Sequence, residues 1–78
     1  MTTEDVVLHF IDEEIGLDCA DVWVDSREIR IKSKPDCGGD EGAWREAAHR
    51  LLDILEYRYN ERYSYYNHSP FGFTLIRD

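Results

Sequence analysis

The side chains that most often bind metals are few in this chain and widely separated. Cys19, Cys37, His49 and His68 each stand alone along the sequence. Structural zinc sites instead use closely spaced ligand pairs, such as two cysteines with two residues between them. We therefore predict that the protein holds no metal and no other cofactor.

The two cysteines leave a second chemistry open, which is a disulfide bond. The bond is geometrically feasible, because Cys37 follows a strand that is predicted to pair with the strand beginning near Cys19. Disulfides are rare in the reducing cytosol, and Glu4 and Asp5 stand where a secretory leader would carry basic residues. We predict a cytoplasmic protein, in the host cytoplasm if a mobile element encodes it, with both thiols reduced.

No arrangement of residues is typical of an active site. The glycine-rich segment 36–42 lacks the Gly-Lys-Ser/Thr ending of a phosphate-binding loop and the alternating ligands of a calcium loop. A catalytic acid or base also needs a pocket that shifts its pKa. A chain of 78 residues forms one domain with a small core. We predict a single domain over residues 1–78 that is not an enzyme.

Charge is distributed unevenly along the chain. Residues 1–41 contain twelve acids and four Lys or Arg, whereas residues 42–78 contain five of each, so the net charge of -8 belongs to the first part. Such a charge argues against binding nucleic-acid phosphates or an anionic membrane, and favours a basic partner. The alternative is that the acidity only keeps the protein in solution.

Three segments are expected to build an acidic surface. They contribute Asp12, Glu13 and Glu14 near the end of a first helix, Asp18, Asp21 and Asp25 along a first strand, and Asp36, Asp40 and Glu41 in a loop. A surface with that density of carboxylates imitates a phosphate backbone and would fit a basic nucleic-acid-binding channel. Association would be fast and sensitive to salt.

Aromatic residues supply candidate anchors for a partner. Five tyrosines fall within residues 57–66 and alternate with arginines. Tyrosine and arginine are enriched at the cores of interfaces. We predict that Tyr57, Arg62 and Tyr65 contact the partner, although the same segment would also finish the edge of the core.

Trp23 is the fourth candidate anchor. On an alternating strand it lies on the face opposite to Val22 and Val24. Trp23 is part of the core if the first helix covers that face, and otherwise it is exposed to a partner or to a second copy of the chain.

Local patterns predict the elements that position these residues. A capping-box-like start at Thr2 and a stop at Gly16 bound a helix over residues 3–15. A long helix begins near Ala43 and loses its apolar face after about Tyr59. Residues 19–33 predict a hairpin and residues 71–76 a third strand. With Asp25-Ser26 as the turn, the hairpin pairs are Val22 with Ile29, Ala20 with Ile31 and Asp21 with Arg30.

The order α-β-β-α-β predicts an α+β domain. A right-handed crossover through the long helix would place the third strand beside the first. The result is a three-stranded antiparallel sheet of order 2-1-3 packed on the long helix, with the short N-terminal helix covering the far face or an edge. The predicted core is Val22, Val24, Ile29, Ile31, Phe71, Phe73, Leu75, Trp44, Leu51 and Leu55.

These features predict a small acidic protein that works by stoichiometric contact with a basic, nucleic-acid-binding protein or nucleoprotein complex. It would bind neither nucleic acid directly nor a membrane. Its size, charge and architecture are typical of phage-encoded inhibitors of host defence, anti-CRISPR proteins among them, that act as nucleic-acid mimics. The alternatives are an antitoxin or immunity-type nuclease inhibitor and a homodimeric or subunit-type structural protein.

Overall fold

The computed structural model describes residues 2–37, 39–67 and 71–78. Gly38 of the predicted loop, the candidate ligand His68 and the predicted break at Pro70 lie outside these ranges. The α+β class is confirmed, because two helices pack on an antiparallel sheet. In chain order the elements are α1 (Thr3–Glu14), β1 (Ala20–Val24), β2 (Glu28–Ser33), α2 (Glu41–Tyr59), β3 (Tyr63–Tyr66) and β4 (Gly72–Arg77).

Helix α1 begins and ends where its sequence predicts. The Thr2 side chain accepts a hydrogen bond from the Asp5 backbone N–H, and the Asp5 carboxylate accepts one from the Thr2 N–H, at 3.2 Å each. This reciprocal capping box satisfies donors that the first turn cannot pair internally. At the other end Gly16 adopts a φ of 104° and its N–H donates to the Ile11 carbonyl at 2.7 Å. Glycine takes this backbone conformation without a steric penalty.

The β1–β2 hairpin is present, but its register differs from the predicted one. The observed pairs are Ala20 with Ser33, Asp21 with Lys32, Val22 with Ile31, Trp23 with Arg30 and Val24 with Ile29. The predicted pairs of Val22 with Ile29, Ala20 with Ile31 and Asp21 with Arg30 are therefore wrong. Ser26 and Arg27 form the turn. The Asp25 carboxylate stabilises it by accepting the backbone N–H groups of Arg27 and Glu28. The shift is two residues, so each side chain keeps its predicted face.

Helix α2 is bounded by two residues with clear capping geometry. The Asp40 side chain accepts the Gly42 N–H at 3.0 Å, which starts the helix two residues before the predicted Ala43. Asn60 adopts a left-handed conformation with φ 57° and ends the helix at Tyr59, as predicted. Asparagine is one of the few residues other than glycine that tolerates this conformation.

Strand β3 was not predicted, and it changes the sheet. The sheet has four strands in the order β1-β2-β4-β3, all antiparallel, so the predicted three strands and order 2-1-3 are wrong. The long helix leads into β3, which lies parallel to β2 with β4 between them. The crossover rule concerns parallel strands. Applying it directly to β4, which is antiparallel to β2, misplaced that strand beside β1.

Both helices cover the same face of the sheet. Residues of α1 and α2 form one buried cluster with β-strand side chains, and its fully buried members include Ile11, Ile29, Leu51 and Leu75. Helix α1 therefore packs beside α2 and does not cover the far face. Val22, Val24 and Phe71, which were predicted in the core, are only partly buried at its margin. Four α1 residues replace them in the core: Val6, Val7, Phe10 and Ile11.

The two cysteines form a disulfide bond, so the prediction of reduced thiols is wrong. The backbone explains why they meet. The Lys34 N–H donates to the Cys19 carbonyl at 2.9 Å, which continues the hairpin ladder past β2. The chain then turns back, with the Cys37 N–H donating to the Lys34 carbonyl at 3.1 Å. This turn places the Cα atoms of Cys19 and Cys37 5.3 Å apart, within the range that a disulfide requires.

Candidate functional site

The disulfide gathers three acidic segments at one end of the molecule. It links the loop after α1 to the loop before α2, and both loops lie beside the last turn of α1. We call this region the acidic end, and it consists of Asp12, Glu13, Glu14, Asp18, Asp36, Asp40 and Glu41. Of the nine predicted acidic residues, Glu14 and Asp40 line this region with the disulfide and Asp18 and Asp36 adjoin its cysteines, while Asp12, Glu13 and Glu41 lie within two residues of these along the chain.

A groove of about 340 Å³ separates the end of α1 from the start of α2. The disulfide, Asp40, Glu14 and Arg50 are among the residues that line it. Arg50 donates to the Glu14 carboxylate at 2.8 Å across the groove. This ion pair joins the two helices and is the reason why a carboxylate can lie on the otherwise apolar side of α1.

Several carboxylates of the acidic end have structural partners. Asp40 caps α2, and Glu41 lies 3.7 Å from Arg45 one turn later. Glu13 lies 3.4 Å from His9, also one helical turn away. Carboxylates near the start of a helix interact favourably with the helix dipole. Asp40 and Glu41 are consequently not free to be exchanged without a local cost in stability, whereas Glu13 is exposed at the carboxyl end of α1, where the helix dipole does not favour a carboxylate.

Asp12, Asp18 and Asp36 are different. All three are exposed, and within residues 2–37, 39–67 and 71–78 their side chains make no hydrogen bond or ion pair. Asp18 and Asp36 each directly precede a cysteine of the disulfide, so the bond fixes them near each other. Their charges are uncompensated and face solvent.

Asp21 and Asp25 lie outside the acidic end. Asp21 is on β1, on the sheet face that the helices leave uncovered, and its cross-strand neighbour is Lys32. Asp25 lies at the far end of the hairpin, where its carboxylate holds the turn. The structure therefore does not place these two predicted site residues with the other seven.

The predicted aromatic and arginine anchors do not form one cluster. Tyr57 on α2 is 80% exposed, and Arg62 follows the helix with its Nε 3.5 Å from Glu56. Tyr65 is half-buried on the covered face, with its ring 5.3 Å from that of His49 and 6.4 Å from that of Phe73. Tyr65 thus contributes to packing at the core margin.

The uncovered face of the sheet carries two exposed aromatic residues, Trp23 and Tyr66. Trp23 is 57% exposed, and the Arg30 guanidinium lies 4.3 Å from its ring centre, a cation–π contact. Across the sheet, Arg30 is opposite Thr74, and Thr74 is opposite Tyr66. We call this row of four residues, together with its exposed neighbour Ile76, the open face. The first helix does not cover Trp23, so the core alternative for Trp23 is wrong.

Sequence reasoning missed Arg30, Tyr66 and Ile76 as surface candidates. The alternation of β2 predicts that Arg30 shares a face with Trp23, and this signal was available. Tyr66 was hidden because its segment was not recognised as a strand. Its tyrosine-rich composition, following an asparagine that can end a helix, is the signal that would have indicated β3.

The opposite end of the molecule contains a compact polar network. The Glu61 carboxylate accepts the Thr3 hydroxyl at 2.9 Å and the Tyr63 hydroxyl at 3.2 Å, and lies 3.8 Å from Arg77. Burial, followed by the Glu61 charge, raises the pKa of Tyr63. We call this region, with the start of α1 and the hairpin turn, the turn end.

Among the residues that the structure describes, no three His, Cys, Asp or Glu side chains come together as a metal site. In the same part of the chain, no helix has the length and apolar character needed to cross a membrane. Scans against protein-family models, curated proteins and solved structures found no match to this chain.

Proposed function

We propose that the protein is a non-enzymatic binding protein that makes a stoichiometric contact with a basic, nucleic-acid-binding protein or nucleoprotein complex through its acidic end. A phage-encoded inhibitor of host defence, of the anti-CRISPR type, is the biological setting that this chemistry fits best. An antitoxin or immunity-type nuclease inhibitor would use the same contact. We propose the cytoplasm as its place of action, where the Cys19–Cys37 bond would be an exception, since disulfides are rare in a reducing cytosol.

The observation that carries the proposal is the state of Asp12, Asp18 and Asp36. A carboxylate without an intramolecular partner keeps its full charge available to another molecule. Three such residues come from three chain segments, and two of them are positioned by one disulfide. Their field adds to that of their paired neighbours on a protein whose net charge is -8. Fields of this kind steer basic surfaces into contact.

The net charge of -8 makes direct binding of nucleic acid unfavourable. Binding to a basic protein channel would release counterions and place carboxylates where phosphates otherwise lie. Affinity should then fall steeply as salt rises.

The test is capture from lysate of the natural host with the protein immobilised by a terminal tag. Bound proteins are eluted by a salt ramp and identified by mass spectrometry. Recovery of a nucleic-acid-binding protein at moderate salt, in amounts close to one per immobilised chain, is the expected result.

The capture needs a control of matched charge. One variant carries Asp18→Lys and Asp36→Lys at the acidic end. The other carries Glu4→Lys and Asp78→Lys at the turn end, so the net charge of the two variants changes by the same amount. The first variant should lose the partner and the second should keep it. Equal retention by both variants would remove the acidic end from the proposal.

A further inference from the structure

The open face differs from the rest of the surface in charge. The outward side of the four strands carries three acids and two bases, a sum of -1: Asp21, Glu28, Arg30, Lys32 and Asp78, whose carboxylate accepts the Ser64 hydroxyl at 2.7 Å. The remainder of the molecule therefore carries -7 of the net charge of -8. A basic partner is attracted to the acidic end and gains little electrostatic advantage at this nearly neutral face.

The open face also has the composition of an interface core. Trp23, Tyr66 and Ile76 are 57%, 45% and 39% exposed on a sheet whose other face is buried under both helices. Tryptophan, tyrosine and arginine are the residues that most often dominate binding energy. Between them Thr74 is only 7% exposed, so the row already forms a continuous surface.

One pair of charges on this face is compensated before any partner arrives. Arg30 donates toward Glu28 with 2.8 Å between Nε and the carboxylate oxygen, and it also lies over Trp23. Covering the face would not leave the Arg30 charge buried without a partner, which is the arrangement that opposes association most strongly.

We infer that the open face is the contact between two copies of this chain. A nearly neutral surface suits the isologous interface of a two-fold dimer, in which the same patch meets itself. Two sheets packed face to face with nearly aligned strands form a common arrangement of β-structure.

The order of the row selects the direction of the two-fold axis. An axis along the strands, between β2 and β4, exchanges β1 with β3 and β2 with β4. It places Trp23 against Tyr66 of the second copy, and it places Arg30 and Lys32 over Thr74 and Gly72, which are already buried within their own chain. An axis across the strands would instead bring Arg30 against Arg30. We therefore assign the axis along the strands, with two reciprocal Trp23–Tyr66 contacts.

The face is small, since four strands of four to six residues define it. Small interfaces belong to weak associations, so a Kd on the order of 100 µM is expected. Sedimentation velocity over about 10 µM to about 1 mM brackets that value. The expected mass rises from the monomer's 9.2 kDa toward twice that value. A constant monomer mass over the whole range would overturn the inference.

The aromatic contacts provide a sharper test. Trp23→Ala and Tyr66→Ala should each weaken dimerisation by about tenfold or more. In an equal mixture, the mixed dimer keeps one intact Trp23–Tyr66 contact and should form more tightly than either variant alone. With the axis across the strands, the mixed dimer would contain no intact aromatic contact. A mixture that dimerises no more tightly than either variant alone would therefore contradict the assigned axis.

Two controls separate this contact from loss of folding. Tyr57→Ala removes a tyrosine that is 80% exposed on α2, and should leave dimerisation unchanged. Thermal melts of all variants establish that they are folded. If Trp23→Ala is folded yet dimerises as well as the parent protein, the open face is not the contact.

This inference stands apart from the proposed function, because salt acts on the two contacts in opposite directions. Salt screens the repulsion between two chains of charge -8, so dimerisation should strengthen as salt rises. Binding of a basic partner should weaken over the same range. In a Trp44→Phe variant Trp23 is the one remaining tryptophan. If this variant stays monomeric and its fluorescence changes only on adding a captured partner, the open face belongs to that partner and the dimer is overturned.

Discussion

The acidic end and the turn end of this molecule are both rich in carboxylates, yet they use them differently. At the turn end Asp5 caps α1, Asp25 holds the hairpin turn and Glu61 joins α1, β3 and β4. At the acidic end Glu14 and Asp40 are held in the same way, whereas Asp12, Asp18 and Asp36, like Glu4 at the turn end, face solvent without a partner in the described chain. The comparison teaches that acid content alone does not locate a binding surface. What matters is whether the fold already uses the carboxylate.

The largest expected effect concerns the bond that assembles the acidic end. Cys19 and Cys37 are 18 residues apart, and the disulfide closes the loop between them. Replacing both by serine opens this loop and should lower the free energy of unfolding by about 3 kcal/mol. Urea denaturation of the variant, and of the parent protein with and without reductant, measures this loss. Reductant should have no effect on the serine variant. A parent protein equally stable in reductant would contradict a structural role for the bond.

Glu61→Ala should produce the next largest effect. Its carboxylate is 17% exposed and holds Thr3, Tyr63 and Arg77, so removal leaves these groups without a shared acceptor. Loss of such a charged acceptor costs about 2 kcal/mol. Asp18→Ala is the matched change at the acidic end and should alter stability by less than about 0.5 kcal/mol. Equal effects in thermal melts would break the contrast between the two ends.

Asp25→Ala tests a single hydrogen-bonded carboxylate. Losing its bonds of 2.8 and 3.0 Å to the Arg27 and Glu28 N–H groups should cost about 1 kcal/mol. Asp25→Asn retains an acceptor oxygen and should recover part of the loss. Chemical denaturation of the pair gives the comparison. An asparagine variant as weak as the alanine variant would indicate that charge, and not the acceptor, holds the turn.

The smallest effect is a dependence of stability on alkaline pH. Burial and Glu61 raise the pKa of Tyr63 above its ordinary value of 10.0, so the folded state favours the protonated hydroxyl. The stability that the protonated Tyr63 hydroxyl adds to the folded state is fully present below about pH 10, and it is lost as pH rises through the raised pKa. Tyr63→Phe should flatten the fall in melting temperature above that pH. Tyr57→Phe is the exposed control and should leave the fall unchanged.

The helices could be predicted closely, because their signals are local. Capping at Thr2, the stop at Gly16 and the apolar period of α2 depend only on neighbouring residues. The sheet could not be ordered, because β3 lacks an apolar–polar alternation: Tyr63 and Tyr65 pack on the core, but Ser64 and Tyr66 give the opposite face no consistent polar pattern. Because β3 was not recognised, the predicted crossover through α2 placed β4 beside β1 and not between β2 and β3.

The candidate site was predictable in composition and not in arrangement. The acidic residues were identified, but the proximity of Asp18 and Asp36 depends on a disulfide that composition and compartment argued against. The alternation of β1 placed Trp23 on the sheet face opposite to that of Val22. The alternation carries no information about which element covers the Trp23 face. The position of α1 decides this, and it follows from packing between distant segments.

Titration of the captured basic partner tests the central claim most directly. Its Kd is measured by calorimetry for the parent protein, the Asp18→Lys/Asp36→Lys variant and the Glu4→Lys/Asp78→Lys variant. We expect the acidic-end variant to bind at least about tenfold more weakly, and the turn-end variant to change by less than about threefold. If the two variants, which carry the same net charge, lose affinity equally or keep it equally, the acidic end is not the binding surface.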